Sequence, residues 1–252
     1  MPEDEVKTFV DRDLKGALFN RSTLVGAVMR GVDVDGLDID APWLGEGTLF
    51  VNGVNVVSFV ESTLNERFPG RDLKEAKDPD GLRTAWAAVE RAWSAAVGRV
   101  RSMPEGSADV SVDDEYSFAQ TLRHLVFATD TWLGRGIQRA SQPPHRLGLA
   151  YAEYEADGYD MSIFAKELPS FAEVLEVRTQ RQAMVRDFIA TATPELLAEP
   201  RTTPWSERQA PVVHCLHVII HEEWEHLRFA LRDLDTLERR ADRQVSTVEV
   251  NG

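Results

Sequence analysis

Residues 214–238 read HCLHVIIHEEWEHLRFALRDLDTLE, and the apolar side chains in them recur every three or four positions. Leu216, Ile219, Ile220, Trp224, Leu227, Ala230 and Leu231 fall on one side of a helix of 3.6 residues per turn, with the charged residues on the other. A stripe of that width must be buried against other elements, and the upstream sequence supplies three helices of the same kind. The first opens at Asp78-Pro79 and runs to about Ser102, carrying Leu82, Trp86, Val89, Trp93, Ala96, Val97 and Val100 at helical spacing, with Pro79 suited to the first turn. A second starts after Ser117, an N-cap residue type, and runs through Phe118, Leu122, Leu125, Ala128 and Trp132 to near Ile137. The third follows Pro169-Ser170 and continues to about Ala192; the fourth, after Pro211, is the stretch quoted above. Four amphipathic helices predict a mainly α protein, a four-helix bundle. The long connection at about 138–169 lets the second and third helices run the same way and places a segment with Pro143, Pro144 and several tyrosines at one end of the bundle.

The N-terminal part has a different rhythm. Phe9, Leu14, Phe19, Leu24, Met29, Val34 and Ile39 are five residues apart, with glycines 16, 26, 31 and 36 between them, a period that belongs neither to a helix nor to a strand. This resembles the pentapeptide-repeat family over about residues 8–41 and implies a short β-solenoid of fewer than two coils, which must rest on the remainder of the protein. Then comes TLFVNGVNVVSFV, residues 48–60, β-branched around an Asn52-Gly53 turn signal, which reads as a strand or hairpin leading into a short helix that ends near Phe68. Periodicity is lost between Pro69 and Asp80, so the boundary is set there: residues 1–68 as a β segment, residues 69–252 as the bundle.

Composition bounds the function. Among 252 residues, 28 Lys and Arg stand against 42 Asp and Glu, for a formal charge of −14. Such a balance opposes broad contact with phosphate backbones or anionic lipid surfaces, so neither nucleic acid nor a membrane is the expected partner. No apolar run reaches the ~20 residues needed to cross a bilayer, and MPEDEVKTFV lacks the regions of a signal peptide; a soluble, cytoplasmic protein is expected. With the single Cys215 no internal disulfide forms, and any metal must be held by histidine and carboxylate.

Four of the six histidines, His214, His217, His221 and His226, lie within thirteen residues of the fourth helix. Residues four apart share a helix face, so His217/His221 and Glu222/His226 are both geometrically possible ligand pairs. His217 and His221 lie more than 90° from the centre of the apolar stripe, whereas His226 lies at its edge with Glu222 somewhat further round. A site inside the bundle therefore prefers Glu222 and His226, with His124 of the second helix as third ligand. Three ligands of this kind leave a divalent cation one open position, as in catalytic zinc sites. Without a metal, a Glu and a His four apart on a charged helix are a solvated pair. Cys215 reads as a small buried hydrophobe.

SFAQTLRHLVFATDTWL, residues 117–133, and EEWEHLRFALRDL, residues 222–234, resemble the DinB-like superfamily, which includes the bacillithiol and mycothiol S-transferases and the mycothiol-dependent maleylpyruvate isomerases. The isomerase branch carries Glu-x-Trp-x-His on its fourth helix, matched by Glu222, Trp224 and His226. Other branches carry two histidines four apart there, which keeps His221 as a fallback ligand. The resemblance covers about residues 78–240. It implies a bundle that holds a divalent metal, zinc first and nickel, iron or manganese as alternatives, through His124, Glu222 and His226. It also implies a low-molecular-weight thiol, mycothiol among the candidates, whose thiolate attacks a small electrophilic substrate to give an S-conjugate or an isomerised product. Arg228 and Arg232 are candidate carboxylate binders, and Tyr151, Tyr154 and Tyr159 candidate wall residues. Bundles of this type often pair, so a homodimer is one candidate state, with no residues that fix its interface. Two further readings stand beside this one: a non-catalytic stress or interaction protein with the same fold, and a metal-dependent hydrolase.

Overall fold

A computed structural model describes residues 8–204, 206 and 208–250, and the chain divides into two compact units, Met1–Ala41 and Pro42–Gly252.

In the first unit the five-residue period of the sequence is a five-residue spacing of turns. Positive φ angles recur at Asp11, Gly16, Arg21, Gly26, Gly31 and Gly36, and turn hydrogen bonds run from the amides of Ala17, Ala27 and Leu37 to the carbonyls of Leu14, Leu24 and Val34. The expected β-solenoid is not formed. None of the described residues before Phe50 belongs to a strand, and the apolar residues of the beat are exposed. A solenoid is held by ladders between successive coils, and a segment of fewer than two coils gives most of its backbone no coil to pair with. The pentapeptide-repeat assignment of this segment is corrected accordingly. The sheets among the described residues are two separate two-stranded hairpins.

The second unit starts with one of them. Strands β1 (Phe50–Val51) and β2 (Val54–Asn55) pair antiparallel around Asn52 and Gly53, both with positive φ as a two-residue hairpin turn demands. Helix α1 (Val57–Arg67) follows. The bundle helices are α2 (Pro79–Ser102), α3 (Phe118–Thr129), α4 (Phe171–Thr191) and α6 (Val212–Val250), with the short α5 (Pro194–Ala198) after α4. Each start has a local cause. The Asp78 carboxylate accepts from the Gly81 amide ahead of Pro79, and Ser117 with Gln120 and Ser170 with Glu173 form capping boxes. A second hairpin, β3 (Pro200–Thr202) with β4 (Gln209–Pro211), leads into α6; no alternating apolar pattern marks it in these residues.

Side-chain pairs fix the directions. Phe118 and Phe171, which open α3 and α4, touch with ring centroids 6.1 Å apart. Ten or so residues further along each helix Arg181 pairs with Asp130, so α3 and α4 are parallel. Arg83 donates to the Ile189 carbonyl while Glu90 pairs with Arg186, which makes α2 and α4 antiparallel. His217 meets Ala76 just ahead of α2, and Arg99 near its end meets Asp235 and Glu238; α2 and α6 are therefore parallel. The topology is up-down-down-up, and the long α3–α4 connection is what makes the parallel central step possible. One core runs through the bundle, with Trp86, Trp93, Leu122, Leu125, Ile219, Ile220, Trp224 and Leu227 almost fully enclosed. The connection adds a small cluster of Phe127, Ala150, Tyr154 and Phe164. No helix of the described residues is long and apolar enough to cross a membrane.

Candidate metal centre

α3 and α6 cross in opposite directions, since His124 meets His226 while Trp132, a little over two turns later, meets His214. At the first of these crossings three side chains converge. His226 Nε2 lies 3.2 Å and His124 Nε2 lies 3.5 Å from Glu222 Oε2, and the imidazole centroids are 4.7 Å apart. One ligand atom from each of the three falls within 4.8 Å of the other two. The edge of a tetrahedron with bonds of about 2.1 Å is roughly 3.4 Å, so the two carboxylate-to-imidazole separations have the size that a four-coordinate divalent ion requires.

The protonation states suit the same use. The Nδ1 of His124 faces the Leu149 carbonyl at 3.1 Å, a contact that orients the ring so that Nε2 is turned towards Glu222, as partners of a ligating imidazole do. Burial holds His226 below the ordinary imidazole value, against the pull of Glu222, and so favours the neutral ring that binds metals. Burial acts to raise Glu222, but its hydrogen bonds to His124 and His226 outweigh that and hold it below the carboxylate range. The set is thus an anionic oxygen flanked by two imidazole nitrogens, a donor group for a borderline divalent cation.

Each ligand is set by its surroundings. The connection is strapped to α3 beside His124: the Leu149 amide donates to the Arg123 carbonyl, and Arg123 Nε donates to the Leu147 carbonyl. On α6, Trp224 packs against Phe68 and is nearly fully buried, which fixes the rotation of the helix and turns Glu222 and His226 towards α3. Glu223 points into the core instead and forms an ion pair with Arg178 of α4, both almost inaccessible. The rings of Tyr116 and Phe127 stand 5.7 and 6.2 Å from His124, and that of Phe229 stands 5.8 Å from His226.

The sequence-level candidates are thereby distributed. His124, Glu222 and His226 come together. His221, the fallback ligand, instead bonds Glu75 at 2.5 Å, and its neighbour His217 bonds the Ala76 carbonyl at 2.8 Å. Arg228 donates to Glu225 and lies over the Phe229 ring, 4.5 Å from its centroid; Arg232 reaches Glu115 and Asp233. Tyr151 donates to Asp157 at 2.7 Å and touches Phe127, one ring away from His124. Tyr154 is buried, with Tyr159 stacked on it at 4.8 Å. Cys215 is fully enclosed, and burial pushes its thiol up to about 11, as expected of a core residue. Sequence reading missed Phe127, Phe229, Tyr116 and the Leu149 carbonyl. The two phenylalanines stand three residues after His124 and His226, a helical spacing that could have marked them; nothing local marks the other two.

No curated protein and no solved structure matches the chain. A family model described as the DinB superfamily matches residues 88–230, a span that contains α3, the first half of α6 and all three converging side chains. With more than half of the 252 residues matched, the chain belongs to the DinB superfamily.

Proposed function

We propose that the protein is a metal-dependent thiol S-transferase or thiol-assisted isomerase, with His124, Glu222 and His226 as the ligands of one divalent ion. The observation that carries this reading is the convergence of the three ligand atoms from two helices, together with the Leu149 carbonyl that orients the His124 ring. A divalent ion bound there would act as a Lewis acid that lowers the pKa of a thiol at its open position, zinc being the first choice and nickel, iron or manganese the others.

The chain's own groups supply the rest. With a divalent ion bound, the single carboxylate of Glu222 would compensate only part of its charge, so the site would keep a positive bias suited to an anionic sulfur. Tyr116, Phe127 and Phe229 provide apolar ring surface that limits water beside it. Cys215 is too deeply buried to be the nucleophile, which is why the thiol is a co-substrate; mycothiol is a candidate. The sulfur would then bond to an electrophilic carbon of a small substrate while a π bond of that carbon opens or a leaving group departs with its electron pair, the thiol proton passing to solvent; the product is an S-conjugate or, after the thiol leaves again, an isomer. Arg228, Arg232, Tyr151 and Tyr159 are proposed to shape the approach for thiol or substrate, the arginines after exchanging a present carboxylate partner for that of the ligand.

Elemental analysis of tag-free protein is expected to give about one divalent ion per chain, and His226→Ala to remove it while the helical content stays. A general thiol-reactive electrophile should be consumed only when a low-molecular-weight thiol is supplied. Unchanged metal content in His226→Ala refutes the site, and turnover that needs no thiol replaces the transferase reading by hydrolysis.

A further inference from the structure

A cavity of about 410 Å³ lies between the end of α3 and the long connection, with Asp130, Thr131, Arg135, Tyr154 and Asp160 in its wall. That volume is within the range of small-molecule sites. Beyond Thr129 the chain of α3 continues as a π-helix, Asp130–Ile137, a rare form that recurs at functional sites. At ~1.5 Å per residue Thr131 stands about 10 Å along the helix from His124, so the cavity is separate from the metal centre.

The polar groups of this wall do not all satisfy one another. Asp130 is fully engaged, since two Arg181 nitrogens and the His145 amide donate to its carboxylate. Arg135, by contrast, has no hydrogen bond and no ion pair among the described residues, and Asp160 accepts from the Ser162 amide but has no cationic partner among them. Thr131 is 3% exposed, and its hydroxyl likewise has no partner among the described residues. Burial raises the Tyr154 phenol, Arg135 opposes that shift and Asp160 adds to it, so the two unpaired charges act at one hydroxyl. A ligand with a negative group alone would meet Asp160, and one with a positive group alone would meet Arg135. A ligand that carries both signs answers both: its carboxylate takes the guanidinium fork and the Thr131 hydroxyl, and its ammonium takes Asp160. Pro143, Pro144 and Ile163 complete the wall and give an apolar side chain something to cover. We propose that this cavity binds a small zwitterion of the α-amino-acid type with an apolar side chain, held between Arg135 and Asp160. The site does not rest on the metal centre or on the activity proposed for it.

L-phenylalanine is the probe, titrated into the full-length protein and followed by amide chemical shifts. Millimolar or tighter binding is expected, with L-phenylalaninamide, which lacks the carboxylate, and N-acetyl-L-phenylalanine, which lacks the ammonium, each at least ~10-fold weaker. Arg135→Gln should weaken L-phenylalanine by a similar factor and leave the amide unchanged; Asp160→Asn should weaken it likewise and leave the N-acetyl compound unchanged. Those unchanged arms also show that each variant has kept its fold. His226→Ala should bind the probe like the parent. The proposal is overturned if L-phenylalanine does not bind at several millimolar, if either analogue binds as well as the zwitterion, or if either cavity variant binds like the parent. Loss of binding in His226→Ala overturns it as well, because the probe would then sit at the metal centre.

Discussion

Glu222 and Glu223 are neighbours with opposite fates. One hundred degrees of helical rotation turns Glu222 to the two imidazoles and Glu223 to Arg178 in the core. In the buried pair Arg178 Nε and Nη1 and Glu223 Oε1 have no partner among the described residues, so the desolvation of both charges is only partly offset. Glu223→Leu alone leaves the guanidinium buried and uncompensated and should cost about 3–5 kcal/mol. Arg178→Met with Glu223→Leu should recover most of that, so denaturant unfolding of the two singles and the double is expected to be strongly non-additive. Additive losses would mean that the two charges do not act as a pair. Because Glu223 adjoins Glu222, a proposed metal ligand, metal content measured on the same proteins should fall with the Leu variant and return in the double one if the core pair helps to set the rotation of α6.

At the scale of elements, α1 and the turn after it are tied to α6 by charge as well as by Phe68 on Trp224. Arg71 is buried and holds Glu61 through two nitrogens at 3.0 and 2.9 Å, Lys74 adds a third contact at 2.9 Å, and Glu225 of α6 stands 3.5 Å from Arg71. The Arg71 hydrogen bond, against the opposing effect of burial, brings the Glu61 carboxyl down from 4.5 to about 2. A carboxyl lowered in the folded state contributes stability that is complete above its unfolded value and lost as pH falls towards the folded one. Stability should therefore drop between about pH 4.5 and pH 2, and Glu61→Gln should flatten that limb of a stability-versus-pH curve while lowering the plateau above it. A Glu61→Gln protein with an unchanged acid limb would show that other carboxyls govern it.

For the whole molecule, the proposed ligands come from two helices separated by the long connection, so a bound ion would act as a cross-link that exists only in the folded state. At an ion concentration about 1,000 times the dissociation constant this adds about 4 kcal/mol, and for a domain of this size each kcal/mol is roughly 2–4 °C in Tm. Stripping with a chelator should lower Tm by on the order of 10 °C, and zinc should restore it. In His226→Ala neither treatment should shift the melting curve. A chelator shift that persists in that variant would place the stabilising ion elsewhere.

Helix positions and the inward face of each were legible in the sequence, because a 3.6-residue apolar period and the Ser117, Ser170 and Asp78-Pro79 start signals are local properties. The choice of Glu222 and His226 over His217 and His221 followed from the same angular arithmetic. The β-solenoid expectation failed for the complementary reason: the five-residue beat encodes turns at Gly16, Gly26 and Gly36, but a ladder needs a second backbone at hydrogen-bonding distance, which no local pattern specifies. Likewise the Leu149 carbonyl behind His124 and the Arg178–Glu223 pair join residues 20 or more positions apart along the chain, and the Tyr116 ring lies just outside a helix. Sequence by itself determined where the bundle helices form and which side each buries; only tertiary packing decided which buried groups meet, because meeting depends on the crossing of whole helices.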